Sequence, residues 1–188
     1  VAGPMLILSK YPIIRSDTVA SLGGSLWADI QIGDEVVRVF NNHLRSTDIK
    51  AGDDQFITQR LYLTDSTRWA KMRSIIHRHR KNSVLRAEQV DLIAPVIAAT
   101  PTRYIVCGDF NDTPISYVYR TMARGTTDAF STCGKGYSHT YRGFFSTLRI
   151  DYVLYSTGLE ALSYKVPFVA YSDHLPVVVR LRKTGMNP

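Results

Sequence analysis

Residues 103–112 read Arg-Tyr-Ile-Val-Cys-Gly-Asp-Phe-Asn-Asp, a short apolar run that passes through a glycine into two acids and an amide. An apolar run of this length ending in polar groups is a buried strand that delivers side chains to the rim of a sheet. What precedes it decides the architecture. Residues 55–80 carry a ragged helical pattern, and Asn82 or Ser83 is placed to cap a new helix whose Leu85, Val90, Ile93, Ala94 and Ile97 face a core until Pro101 ends it. Earlier, Leu26 to Ile32 alternates apolar and polar residues, Gly33-Asp34 makes a turn, and Glu35 to Leu44 is β-branched and apolar through Val36, Val37, Val39 and Phe40. A strand pair, a long helical segment and a further strand make a layered α/β fold.

Outward from this centre, Met5 to Leu8 is expected to be a buried strand closed at Pro12, and Ser116 to Ala123 a short helix after Thr113-Pro114. Residues 134–145 form a loop rich in glycine and aromatics, and Ile150 to Tyr155 and Pro176 to Leu181 are two last strands. With 188 residues, the chain is expected to be one domain. A composition of 45% hydrophobic and 21% charged residues excludes global disorder. Two cysteines exclude a disulfide framework, and no Cys/His cluster has zinc-ligand spacing. Cys107 is expected to be a buried apolar residue and Cys133 a free loop thiol.

The charge balance of 23 Lys+Arg against 16 Asp+Glu gives +7, which favours anionic partners. Seven of those cations, Arg68, Lys71, Arg73, Arg78, Arg80, Lys81 and Arg86, fall in one acid-free stretch with Trp69. It reads either as a solvated helix face or as a surface that tracks nucleic acid. The longest apolar stretch, Val90 to Ala99, is broken by Asp91 and Pro95 and is far short of a membrane span.

Three strand ends carry chemistry: Asp109 with Asn111, Asp151, and Asp173-His174, with His43 at a fourth. Asp109 and Asn111 are two apart and point the same way if the chain is extended. Each alone has a plain reading, as an Asx-turn, a cap or a solvated turn. Converging at one rim, they are hard oxygen donors with imidazoles, a set suited to Mg²⁺ or Mn²⁺ rather than zinc.

The ordered segments Asn41-Asn42-His43-Leu44-Arg45-Ser46, Gly108-Asp109-Phe110-Asn111-Asp112, Arg149-Ile150-Asp151-Tyr152-Val153 and Ser172-Asp173-His174-Leu175-Pro176-Val177 resemble the motif series of the endonuclease/exonuclease/phosphatase superfamily, the DNase I-like hydrolases. Ile7 to Ile13 resembles the strand and turn ahead of the first motif, and His139-Thr140-Tyr141-Arg142-Gly143 a loop of bacterial members. The resemblance implies a four-layer α/β sandwich of two mixed sheets flanked by helices, and metal-dependent in-line hydrolysis of a phosphate ester, nucleic acid included. It implies that His43 contacts or protonates the phosphoryl group, that Asp109 and Asn111 position the attacking water or a metal, that Asp151 orients His174 on the phosphate, and that Asp173 is a metal ligand. Arg45, Tyr141 and Phe144 are the candidate substrate contacts, the last two because their loop leads into Asp151. Trp27 and Tyr137 are expected to pack.

The family also has an upstream Asn and a metal-binding Glu before the segment matching Ile7 to Ile13, and Glu35 does not match that position. The chain is therefore expected to be the C-terminal part of a longer, monomeric hydrolase, binding metal weakly and turning over poorly, if at all, by itself. Its compartment is left open, being cytoplasmic if no upstream signal or anchor exists. The rival expectation is a catalytically incomplete module that only binds phosphate or nucleic acid.

Overall fold

The computed structural model describes residues 5–19, 23–47, 53, 56, 65–143 and 146–185. The expected helix before residue 65 falls mainly outside them, as do Phe144 and the side chain of Arg68.

Eight strands are described: β1 (Ile13–Thr18), β2 (Ser25–Ile32), β3 (Glu35–His43), β4 (Arg103–Asp109), β5 (Thr127–Asp128), β6 (Asp151–Tyr155), β7 (Leu159–Lys165) and β8 (Val178–Lys183). With them are three described helices, α1 (Asp65–Ala98), α2 (Tyr117–Met122) and α3 (Ala129–Cys133). Six strands form a sheet in the order β1-β2-β3-β4-β6-β5, while β7 and β8 form a second, antiparallel pair. Within the large sheet only β3 and β4 run parallel. A parallel step needs a crossover, and α1 lies within it.

Strand β6 shows how the layers form. Its Tyr152 and Leu154 join a core with Val90, Ile93 and Ile97 of α1 and Val118 and Met122 of α2. Its Val153 and Tyr155 point the other way, into a cluster with Ala129 of α3 and Leu159, Ala161, Val179 and Leu181 of β7 and β8. The period of two in a strand thus serves two cores. A mixed sheet with helices on one face and a second sheet on the other is an α/β sandwich, as expected.

Four readings from the sequence are corrected. Met5 to Leu8 is irregular, with Leu6 and Leu8 exposed, and the first strand is β1. The Asn41 side chain donates to the Leu6 carbonyl at 3.0 Å, so a polar clip, not a ladder, holds that segment. Nor does a new helix start at Asn82 or Ser83, because α1 runs through both. Asparagine breaks helices by bonding its own backbone. Here Asn82 is buried and its amide is used elsewhere, donating to the Thr47 carbonyl at 3.2 Å and accepting from Arg45 Nε at 3.3 Å. Cys133 is not in a loop but in α3, its thiol donating to the Ala161 carbonyl at 3.0 Å. Finally, Asn111 is not extended, since its φ is 52°.

Strand β7 was not foreseen, because Leu-Glu-Ala-Leu-Ser-Tyr-Lys has little β-propensity. Its pairing with β8, including Glu160 opposite Arg182 with a 2.8 Å ion pair, fixes it instead. Trp27 packs in the core as expected, and burial pushes the Cys107 thiol up to about 11, so it stays a neutral filler.

Phe40 is fully buried, whereas β1 is exposed along its whole length. Phe40→Ala should cost about 3–5 kcal/mol in urea unfolding, and Ile14→Ala within about 0.5 kcal/mol. Equal losses would mean that the core does not lie between α1 and β3.

Candidate active site at the strand ends

The ladder places the polar residues. His43 is the register partner of Asp109 across the parallel β3–β4 pair, and Asp109 is the partner of Asp151 across β4–β6. Register partners share a face, so an imidazole and two carboxylates stand in one row at the end of three strands. Gly108 makes the row possible. Its φ is 127°, and a Cβ there would overlap the Asn42 carbonyl, so only glycine lets the chain pass β3 and present Asp109.

His174 comes from outside the sheet, in the segment before β8. Its Nδ1 lies 3.0 Å from Asp151 Oδ2 and its Nε2 lies 3.9 Å from Asp109 Oδ2. His43 Nε2 approaches the same Asp109 oxygen at 3.8 Å. Two imidazoles therefore converge on Asp109, and Asp151 backs one of them. Asn111 completes the arrangement. Its left-handed backbone closes an Asx-turn in which Asp109 Oδ1 accepts from the Asn111 amide at 2.7 Å, while Asn111 Nδ2 donates to Asp109 Oδ2 at 2.8 Å and to the Leu44 carbonyl at 3.1 Å. The plain turn reading of Asp-x-Asn is thus geometrically right, and it also fixes the carboxylate facing the imidazoles.

Electrostatics follow from this crowding. Burial, and then the charge of Asp151, push the Asp109 carboxyl up to about 7, against the opposing pull of the Asn111 amide. The hydrogen bond to Asp151 raises His174 to about 9. His43 moves the other way, because burial and the nearby His174 disfavour its charge. Asp109, Asp151 and His174 each offer a ligand atom, all within 4.8 Å of one another. Two carboxylates crowded enough to raise a pKa, with an imidazole, fit a hard divalent cation.

A cleft of about 360 Å³ opens beside the row, lined by Asn111, Asp112, Asp173, His174, Tyr141, Thr47 and His79 among others. Asp173 is exposed at its lip and stands outside the three-residue cluster. Tyr141 tilts against His174, ring centroids 5.1 Å apart. Arg45 is exposed, but its Nε turns toward Asn82, leaving Ser46 and Thr47 to form the cleft wall. Glu35 sits at the opposite end of β3 from His43, paired with Arg103.

Three residues near the site escaped sequence reasoning. Arg86 belongs to the basic stretch, yet it is fully buried. Its guanidinium donates to the Arg45 carbonyl at 3.0 Å and to Thr47 Oγ1 at 3.2 Å, and it lies 3.2 Å from Asp112 Oδ2. The spacing of Asn82, Arg86, Gln89, Ile93 and Ile97 was the available signal, because it puts the arginine on the core stripe of α1. His79 reaches the cleft from the same helix, and fully buried Thr140 lies behind Asp151.

With this geometry established, likeness to known proteins is informative. The profile of the Endonuclease/Exonuclease/phosphatase family matches residues 2–174, and the chain belongs to this family. Solved structures agree on the fold. A family protein from Bacteroides thetaiotaomicron has a TM-score of 0.59 at 17% identity, over 92% of this chain and 64% of its own. The human Nocturnin catalytic domain with bound sulfate gives 0.57 at 17%, over 93% and 60%. A mannosyl-6-phosphatase from Bacteroides thetaiotaomicron gives 0.56 at 18%, over 92% and 67%. The chain thus spans 60% to 67% of the length of these three proteins. No curated protein sequence matches it.

A histidine raised from 6.5 to about 9 on folding stabilises the fold fully below pH 6.5 and loses that contribution as pH rises through 9. In chelator-treated protein, Asp151→Asn should return the NMR titration of His174 toward 6.5 and remove the fall in stability between those pH values. An unchanged His174 titration would show that Asp151 is not its proton partner.

Proposed function

We propose that the chain is a metal-dependent phosphoesterase of a single domain, acting as a monomer, that cleaves a phosphodiester or phosphomonoester by in-line attack of water. The row His43–Asp109–Asp151 with His174 bound to Asp151 carries this reading. Asp109, oriented by Asn111 and facing both imidazoles, is placed to take a proton from water or to hold the metal. His174, kept protonated by Asp151, donates a hydrogen bond to a phosphoryl oxygen, and His43 contacts a second oxygen from the far side of Asp109. Asp109, Asn111 and Asp173 are the proposed metal ligands, and the crowding of the Asp109 and Asp151 carboxylates supports a cation at this rim. Mg²⁺ or Mn²⁺ bound there would supply positive charge to offset the negative charge developing on the phosphoryl oxygens. Arg45 beside the cleft and Tyr141 within it are proposed substrate contacts.

Among phosphate esters, α1 favours a polymeric one such as nucleic acid. His79 lines the cleft, and exposed Arg80, Arg73 and Trp69 follow on the same helix. Cations for phosphates and an indole for a base are the elements of a nucleic-acid track. Among the described residues, no helix is long and apolar enough to cross a membrane.

The test is hydrolysis of a chromogenic phosphodiester by the chain and by an N-terminally extended version, each with Mg²⁺, Mn²⁺ or chelator, alongside salt-dependent binding of a single-stranded oligonucleotide. Expected are chelator-sensitive turnover, highest in the extended protein, that falls about 10²–10⁴-fold in Asp109→Asn and His174→Ala, and oligonucleotide affinity that drops steeply with salt. No turnover from either, together with phosphate binding that survives both substitutions, would replace the hydrolase with a binding module.

A further inference from the structure

Asp151 and His174 are 23 residues apart and belong to different segments, yet Nδ1 and Oδ2 meet at 3.0 Å. The β6 ladder fixes Asp151 from only one side, through its pairing with Asp109. His174 lies on no regular strand. Something must hold the two segments at a common distance, and sheet pairing does not supply it.

Thr140 does. It is fully buried, and among the described residues its hydrogen bonds go to the segments in question. Its hydroxyl oxygen accepts from the Ile150 and Asp151 amides, both at 3.0 Å. Its carbonyl accepts from the Leu175 amide at 2.7 Å, and its own amide donates to the Leu148 carbonyl at 2.9 Å. One residue therefore bonds the backbone N–H of Asp151 through its side chain and the N–H following His174 through its backbone. The residues beside it extend the stitch. Arg142 N–H donates to the Asp173 carbonyl at 2.8 Å, and Tyr141 bridges both Leu148 and His174. Removing the hydroxyl would leave two amides at the start of β6 without their acceptor, and a buried donor without a partner is costly enough to move the chain.

We infer that Thr140 is a positioning residue that sets the Asp151–His174 distance. This rests on the hydrolase reading for its consequence in catalysis, but not for its structural content. A displacement of about 1 Å in such a pair is enough to lower turnover by around 10²-fold without changing what the cleft binds. Serine in place of Thr140 keeps the hydroxyl, whereas valine keeps the shape and loses it.

The experiment compares wild type, Thr140→Val and Thr140→Ser as ¹⁵N-labelled protein in chelator, reading the downfield His174 Nδ1–H resonance, which Asp151→Asn assigns. Phosphodiester turnover is measured in parallel with Mn²⁺. Expected is loss or a large upfield shift of the resonance in Thr140→Val, with kcat down about 10–100-fold at an unchanged KM. Thr140→Ser should keep the resonance and stay within about 3-fold in kcat. A folded Thr140→Val with the wild-type resonance would overturn the inference. So would a Thr140→Ser that loses it, and that arm decides the matter if the valine variant does not fold. A wild type that hydrolyses nothing while the resonance behaves as expected would count against the hydrolase reading alone.

Discussion

The site depends on one constraint, the register that makes His43, Asp109 and Asp151 neighbours across β3, β4 and β6. A slip of one residue in either pairing would turn the acid of that strand to the opposite face, into the core that holds Phe110 and Tyr152. Two features hold the register. On the helix side, Val106, Tyr152 and Leu154 are locked against α1 and α2, so the other face of the same strands has no freedom to shift. At the rim, Gly108 allows β4 to pass the Asn42 carbonyl so closely that no side chain fits.

Helix α1 does more than cover the sheet. Asn82, Arg86 and Gln89 are buried on its inner stripe, and all three reach the segment that follows His43, with Gln89 Oε1 accepting from the Arg45 amide at 2.8 Å. A buried guanidinium is costly unless paired and fully hydrogen-bonded. Arg86 meets that condition by joining the loop after β3 to Asp112 in the loop after β4, so its burial fixes the two loops that flank the cleft. Its charge also opposes the rise of the Asp109 pKa. The structure thus spends core polarity on arranging the rim.

The fold was legible where local pattern and tertiary context agree. The alternation in β2, the β-branched run of β3 and the apolar start of β4 each stated a strand, and the helical stretch between β3 and β4 implied a layered α/β fold. Legibility failed where a tertiary partner decided the outcome. Asn82 looks like a cap because nothing local shows that Thr47 and Arg45 will occupy its amide, and β7 looks like coil because β8 defines it. The residue types of the site were readable from the polar ends of the strands. Their connections were not. That Asp151 is shared between Asp109 and His174, and that Arg86 points inward rather than to solvent, are properties of the assembled layers.

The central claim is that these strand ends form one cation-binding phosphate site. Paramagnetic broadening by Mn²⁺ tests it most directly, because the effect falls with the inverse sixth power of distance and so ranks groups by their nearness to the ion. Titrated into the labelled protein, Mn²⁺ should broaden the His43 and His174 imidazole signals together at low occupancy while the Glu35 amide, at the far end of β3, stays sharp. If His43 and His174 stay sharp through excess Mn²⁺, or the Glu35 amide broadens first, the row at the end of β3, β4 and β6 is not where the cation binds.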